Sequence, residues 1–436
     1  MSREMKYSGN PWIGEIPKGW KVSRLKHLAT DKDSLIIDGD WIESNVIEAS
    51  GIRYLTTGNV GDGVFKEQGQ GYISQETFNA LNCTMVYAGD LVFSRLNYPM
   101  GRSCIIPEKY ERCVVAVDNV IFRPNKDVSR RYLMYVSMCT GFQNENALIA
   151  RGATMQRMSR SQLVRVFVPI PDRDTQQKIA SFLDRKCAEV DEMIALQEQI
   201  IEELKAYKQS VITEAVTKGL DPDAPMRDSG IEWIGQIPEH WSTKRLKNIF
   251  RLKTGTTPDG FDIVNENSEI IPWFTPSDIS DDCCELHQSE RKLYKSEVGK
   301  IELFPKGSLM FVGIGASAGK LGYSHISGYS NQQITALIPD NCNGKYYYYF
   351  LIADRKRLRD NAFFTTLPII NNGYLSQNKV VYPPTTEQQA IADYLDDMCT
   401  DIDSLIQTKQ SKIDSLKEYK KSIIYEYVTG KREVNE

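Results

Sequence analysis

The sequence predicts an α+β chain written twice: two mixed α/β globular heads in pseudo-two-fold arrangement, joined by two long helices packed as an antiparallel coiled coil. Three observations predict it. Ile13–Trp20, reading IGEIPKGW, returns 221 residues later as IGQIPEHW at Ile234–Trp241. A helical segment opening DTQQKIASFLDRK at Asp174 returns after 212 residues as TEQQAIADYLDDM at Thr386. The difference of nine residues is absorbed between these ends, so divergence is confined to the middle of each copy. An internal repeat constrains the fold before any motif does, and 436 residues suffice for two or three cores.

Each copy opens on Ser-Gly-x-x-Trp (Ser8–Trp12, Ser229–Trp233), passes through Ile-Gly-x-Ile-Pro-x-x-Trp and reaches Arg-Leu-Lys (Arg24–Lys26, Arg245–Lys247). The middles read as mixed β with short helices. Gly89–Leu96 (GDLVFSRL) matches Gly307–Ile314 (GSLMFVGI), and Tyr54–Val60 matches Trp273–Ile279; apolar runs bounded by glycine are strand signals. Helices are expected at Arg130–Cys139 and Lys345–Leu358. In the latter, Tyr346–Phe350 fits a buried helix face better than a base-stacking platform. Pro169/Pro171 and Pro383/Pro384 end the two middles.

Beyond the prolines, Leu183, Cys187, Val190, Ile194, Gln197, Ile201, Leu204, Lys208, Val211 and Ala215 step by four and three. Leu395, Cys399, Ile402, Ile406, Lys409, Ile413, Leu416, Lys420, Ile423 and Tyr427 repeat the pattern. This is a heptad seam. No Pro or Gly interrupts either run, and Gly219 and Gly430 stand where a helix C-cap is expected. About 45 residues make a rod roughly 65 Å long. Matched polar breaks, Gln197 with Lys409 and Lys208 with Lys420, favour the helices packing on each other over each packing on its own head. The predicted division is 1–173, first head; 174–219, central helix; 220–385, second head; 386–430, C-terminal helix; 431–436, tail.

The N-terminus lacks an apolar signal region and no apolar run approaches ~20 residues, which predicts a cytoplasmic chain with no membrane span. Nine cysteines form no Cys-x-x-Cys pair, and Cys283–Cys284 are adjacent, a spacing that suits neither zinc nor an easy disulfide. Four dispersed histidines, His27, His240, His287 and His325, argue against a metal cluster, so no metal and no bound cofactor is expected. The net charge of −4 is uneven: residues 89–173 hold 13 basic and 7 acidic side chains. A near-neutral total leaves room for a local anion-binding face.

Enzyme motifs fail one by one. Tyr382-Pro383-Pro384-Thr385 has the wrong outer residues for an amino-methyltransferase turn. Gly319-Lys320 is followed by Leu321 and position 314 is Ile, which breaks a P-loop. No Gly-x-Ser-x-Gly or His-Glu-x-x-His occurs, and Asp281–Asp282 lack a nearby Glu-x-Lys partner. No catalytic residue is expected.

A repeated head with a preserved rod suits a duplex, whose strands are related by two-folds, and unlike heads suit an asymmetric, split target. Candidate DNA contacts lie in the divergent loops. Ala150–Arg165 (ARGATMQRMSRSQLVR) holds four arginines and no acid, including Arg151, Thr154, Gln156, Arg157 and Arg160. Arginine forks onto guanine and glutamine onto adenine, while hydroxyls and cations hold phosphates. Its counterpart, Phe363–Leu375, offers Thr365, Thr366, Asn371 and Asn372. Arg95, Asn97 and Arg102 in the first head, and Ser317, Lys320, Gln332 and Gln333 in the second, flank glycine-rich turns.

With the repeat in view, the chain resembles the specificity subunits of type I restriction–modification systems over nearly its whole length. The entry motifs, the openings Thr175–Ala180 and Glu387–Ala392, and the Gly-Asp-Leu-Val-Phe-like strands carry the resemblance as a set. It implies two target-recognition domains and a helical spacer reading a bipartite DNA sequence, with no catalysis. It also implies docking of two modification subunits, which use S-adenosylmethionine, and of restriction subunits, which use ATP and Mg. Thr175 departs from the usual Glu, although Asp174 keeps an anionic first turn. Exposed acids such as Glu189, Glu192 and Glu203 are candidate docking positions.

Overall fold

The computed structural model describes residues 3–152, 155–257, 270–280, 284–294, 301–364 and 368–434. The chain folds as two compact units, residues 1–198 with 411–436, and residues 199–410.

In the first unit the entry motif forms a hairpin, Met5–Tyr7 with Glu15–Pro17, and buries Ile13, Ile16 and Trp20. The strand that follows, Lys21–Arg24, pairs antiparallel with Phe167–Ile170, closing the start of the head onto its end. Between them β1 (Leu35–Asp38), β2 (Leu91–Ser94), β3 (Ser103–Ile105) and β4 (Asn119–Arg123) make an antiparallel sheet in the order β1-β4-β2-β3. The β2 run is buried at all four positions, which explains its continuous apolar reading. A second sheet sets Ile52–Leu55 between Tyr72–Ile73 and Cys113–Val115. Helix α1 (Arg130–Ser137), capped by the Ser129 side chain, buries its residues from Tyr132 onward.

The second unit repeats this plan. Its hairpin is Met226–Asp228 with Gln236–Pro238, and Ser242–Arg245 pairs with Lys379–Tyr382. The sheet comprises β5 (Phe250–Thr254), β6 (Cys284–Leu286), β7 (Leu309–Val312), β8 (Leu321–Ser324) and β9 (Ile334–Pro339), in the order β5-β9-β7-β8-β6. Strand β6 runs parallel to β8 and extends the sheet beyond the four-strand plan of the first head. Ile270–Phe274, Arg291–Tyr294 and Tyr329–Ser330 form the smaller sheet. A helix, Gly344–Asp360, fully buries Tyr346, Tyr347, Tyr348 and Phe350, so the tyrosine run is core.

The long helices are α2 (Arg173–Lys218) and, numbering Gly344–Asp360 as α3, α4 (Thr385–Val428). Every seam position is buried or half-buried, polar Gln197, Lys208, Lys409 and Lys420 included. In the first unit Leu183 and Cys187 of α2 share one core with Ile423, Ile424 and Val428 of α4. In the second, Ile212, Ala215 and Val216 of α2 share one with Ile391, Leu395 and Cys399 of α4. The end of each long helix therefore packs on the head of the other copy. Tyr132 donates its hydroxyl to the carbonyl of Val428 at 2.8 Å, and Tyr346 donates to that of Val216 at 2.8 Å. Burial pushes both hydroxyls well above the ordinary tyrosine range, so they stay protonated donors.

One matched pair of polar breaks, Lys208 with Lys420, is explained by ion pairs. Lys420 meets Asp191 at 2.7 Å in the first unit, and Lys208 meets Asp403 at 2.7 Å in the second. The shared Gln-Gln opening has a cause too. Gln176 and Gln388 are buried; their carbonyls accept from the backbone N–H of Ser129 and Asn343, the caps of α1 and α3. Their amides donate to Pro171 and Pro383. At the divergent position Glu387 accepts from the Trp241 indole, whereas Thr175 bonds to Asp172. Asp174 supplies the acidic first turn as expected, and Asp172 accepts from the Thr175 N–H at the helix start.

One sequence expectation loses its premise. His287 and His325, dispersed in sequence, come together across β6 and β8, and their donor atoms lie with a Glu285 oxygen within 4.8 Å of one another. Cys283 and the Asp281–Asp282 pair lie outside the described residues.

Candidate nucleic-acid interface

Both heads bring together the same two loops. In the first, the segment after β2 bridges the arginine-rich loop at Leu96 and Arg157, and Asn97 donates its N–H to the Gln156 carbonyl at 2.8 Å. In the second, the segment after β7 bridges Phe363–Leu375 at Ile314 and Ile369, and Ile370 donates to the Gly313 carbonyl at 2.8 Å. Leu96 and Ile314 are equivalent in the repeat. The pairing is thus a property of the fold, on which unlike side chains are mounted.

In the first head the candidates divide into holders and presenters. Arg95 is buried; its guanidinium donates to the carbonyls of Met158 at 2.9 Å and Val117 at 2.6 Å and meets Asp38 at 3.2 Å. Burial pushes its pKa down, against the pull of Asp38 and Asp118. Arg102 donates to Val60, Leu96 and Asn97 carbonyls, tying the β2 loop to the smaller sheet's side of the head. Both arginines fix loop backbone. Arg151, Gln156 and Arg157 are exposed, with Arg157 on Asp118 at 2.6 Å and half-buried Arg160 on Asp38 at 3.6 Å. Arg95, Arg151, Arg157, Ser159, Ser161 and Gln162 line one concavity. Asn97 takes the left-handed φ of +57 that asparagine tolerates, and it is exposed. Thr154 lies outside the described residues.

The second head offers amides and hydroxyls instead. Ser317 and Lys320 close a turn through an Lys320 N–H to Ser317 carbonyl bond of 3.1 Å. The Gln333 carbonyl accepts from the Gly313 N–H at 2.8 Å, which sets Gln332 and Gln333 beside that segment. Gln332 is exposed and accepts from the Thr257 hydroxyl. Asn371 caps a short helix by accepting from the Tyr374 N–H, and Asn372 donates to the Thr254 hydroxyl at 2.7 Å. Thr365 and Thr366 lie outside the described residues.

Sequence reasoning missed Asp38 and Asp118, which steer three arginines, and the exposed Trp41 and Tyr98. Nothing local marks the two carboxylates, since they lie far apart in sequence and meet only through the β1–β4 pairing. Tyr98 was detectable, being next to Asn97 at the loop tip.

A duplicated head with the same loop pair carrying different polar side chains defines a recognition protein rather than a catalyst. The sequence pattern described as the type I restriction modification DNA specificity domain matches residues 17–206 and again 238–432. The chain belongs to this family: it is a type I specificity subunit, serving DNA sequence recognition without catalysis of its own. It is 22% identical over 445 residues to the type I restriction enzyme MjaIX specificity subunit of Methanocaldococcus jannaschii, covering 97% of this chain and 96% of that one. It is 23% identical over 402 residues to the EcoKI specificity subunit of Escherichia coli, covering 87% and 82%. Among solved structures, a chain described in connection with complex assembly and conformational transition of the type I R-M system superposes with TM-score 0.76 at 16% identity, covering 96% and 99%. The HsdS subunit of Thermoanaerobacter tengcongensis gives 0.55 at 16% identity, covering 96% and 98%. Among the described residues no helix is long and apolar enough to cross a membrane.

Proposed function

We propose that this chain reads an asymmetric bipartite sequence in double-stranded DNA, one part per head, through the loop pair that both heads repeat. The repeated pairing at Leu96–Arg157 and Ile314–Ile369 carries the reading. Exposed Arg151, Arg157 and Gln156 in the first head contact bases and phosphates, as do Ser317, Lys320, Gln332 and Asn371 in the second; Arg95, Arg102 and Asn372 position them. Interleaved cations, amides and hydroxyls suit groove edges and backbone together.

The two long helices act as an antiparallel coiled coil that sets the unread gap. The buried seams and the equivalent pairs Asp191–Lys420 and Asp403–Lys208 support this. The chain works in the cytoplasm and docks two modification subunits and the restriction subunits through exposed acidic helix positions such as Glu192 and Glu203. Those partners bring S-adenosylmethionine, ATP and Mg; this chain binds none of them. The test is recovery of the modification subunit with the purified chain, followed by sequencing of the methylated motif. A single contiguous motif contradicts the proposal.

A further inference from the structure

We infer that the second head holds a divalent transition-metal ion between Glu285, His287 and His325. The backbone sets up the three ligands. Strands β6 and β8 pair in parallel register, Glu285 opposite Tyr323 and Leu286 opposite Ser324, and His325 donates its N–H to the Leu286 carbonyl at 3.0 Å. His287 and His325 each follow directly on their strands, Cys284–Leu286 and Leu321–Ser324, so the parallel register brings the two imidazoles and Glu285 together at one end of the pair.

A Glu285 oxygen already stands near ligand spacing from both ring nitrogens. A tetrahedral ion with bonds of about 2.1 Å holds its ligand atoms ~3.4 Å apart. Glu285 Oε2 lies 3.0 Å from His325 Nε2 and 3.6 Å from His287 Nε2. The imidazoles are stacked, centroids 4.3 Å apart and planes within 8°. An imidazole lone pair lies in its ring plane, so metal binding turns the exposed His287 ring out of the stack and onto the ion.

A second layer holds the carboxylate. Lys345, a buried residue of α3, binds the other Glu285 oxygen and also meets Asp396 at 3.2 Å. Such outer partners orient ligating groups. The two carboxylates outweigh the one ammonium, so the neighbourhood favours a cation. Two imidazoles with one carboxylate suit zinc, nickel or copper better than magnesium or calcium. His287 is 65% exposed, which leaves room for water on the ion. Bound metal would clip the edge strand β6 onto β8.

The probe is zinc chloride, titrated calorimetrically into untagged, chelator-stripped full-length chain, with thermal unfolding measured in parallel. The expected result is one saturable zinc per chain and a higher Tm with zinc. His287→Ala and Glu285→Gln each weaken binding by more than the roughly 10–100-fold loss typical of an outer-layer change and abolish the Tm rise. His240→Ala, whose ring pairs with Glu387 elsewhere, leaves both unchanged. His287 is a surface side chain, so its removal leaves the fold intact by circular dichroism. Absence of saturable binding to the unmodified chain, or equal binding by the His287→Ala variant, overturns the site.

Discussion

Arginine is the residue on which the first head's chemistry turns, and its copies are not equivalent. Arg95 is enclosed between two carbonyls and a carboxylate, while Arg151 stands exposed on the same concavity. Replacing Arg95 by Ala leaves Asp38, the buried Met158 carbonyl and the part-buried Val117 carbonyl short of a donor and costs about 2–4 kcal/mol of stability. Its Tm falls together with its DNA affinity. Arg151→Ala leaves Tm unchanged but weakens DNA binding, and if it holds a phosphate the salt dependence loses about one unit of slope. Filter binding across a salt series beside thermal unfolding separates the two; equal effects of both variants on Tm would contradict the division. Sequence alone could not make that division. Ala150–Arg165 is legible as a basic loop from composition, but which arginine is spent on structure depends on Asp38 and Asp118, whose proximity exists only in the fold. His287 and His325 escaped for the same reason, since the parallel edge pairing that joins them leaves no periodic trace in sequence.

At the scale of elements, the long helices were the most legible feature, because a heptad pattern depends on local spacing alone and burial follows the spacing. Less legible was that each helix end completes the other copy's head. Gly430 follows α4 at φ +71 and lies against the first head's entry motif; a Cβ there would come within 2.6 Å of Pro17 and 2.9 Å of Trp20. Gly430→Ala thus adds left-handed strain to a clash with ring atoms and costs about 1–3 kcal/mol, lowering Tm of the full chain. Gly19→Ala, with open space around the added methyl, serves as control. The paired lysines act differently. Asp403→Ala leaves the mostly buried Lys208 ammonium without that carboxylate and costs about 1 kcal/mol, reduced from the fully buried case because Asp403 is half exposed. Lys208→Met, which keeps the stem and removes the charge, costs less. Urea unfolding of the two variants reads the order, and the reverse order would mean that Lys208 matters by charge alone.

The molecule as a whole repeats one scaffold and varies the side chains mounted on it, which makes its two heads separable in function. Inserting two helical turns after Glu203 lengthens the proposed spacer while sparing both loop pairs, so the methylated motif should keep both halves and change its gap, or activity should be lost. An unchanged gap would rule out the helices as the ruler. The central claim, one head per half-site, is tested most directly by exchanging residues 1–173 for those of a related specificity subunit and mapping methylated adenines genome-wide. The account predicts that one half of the motif changes while the other half and the gap stay the same; simultaneous change of both halves would contradict it.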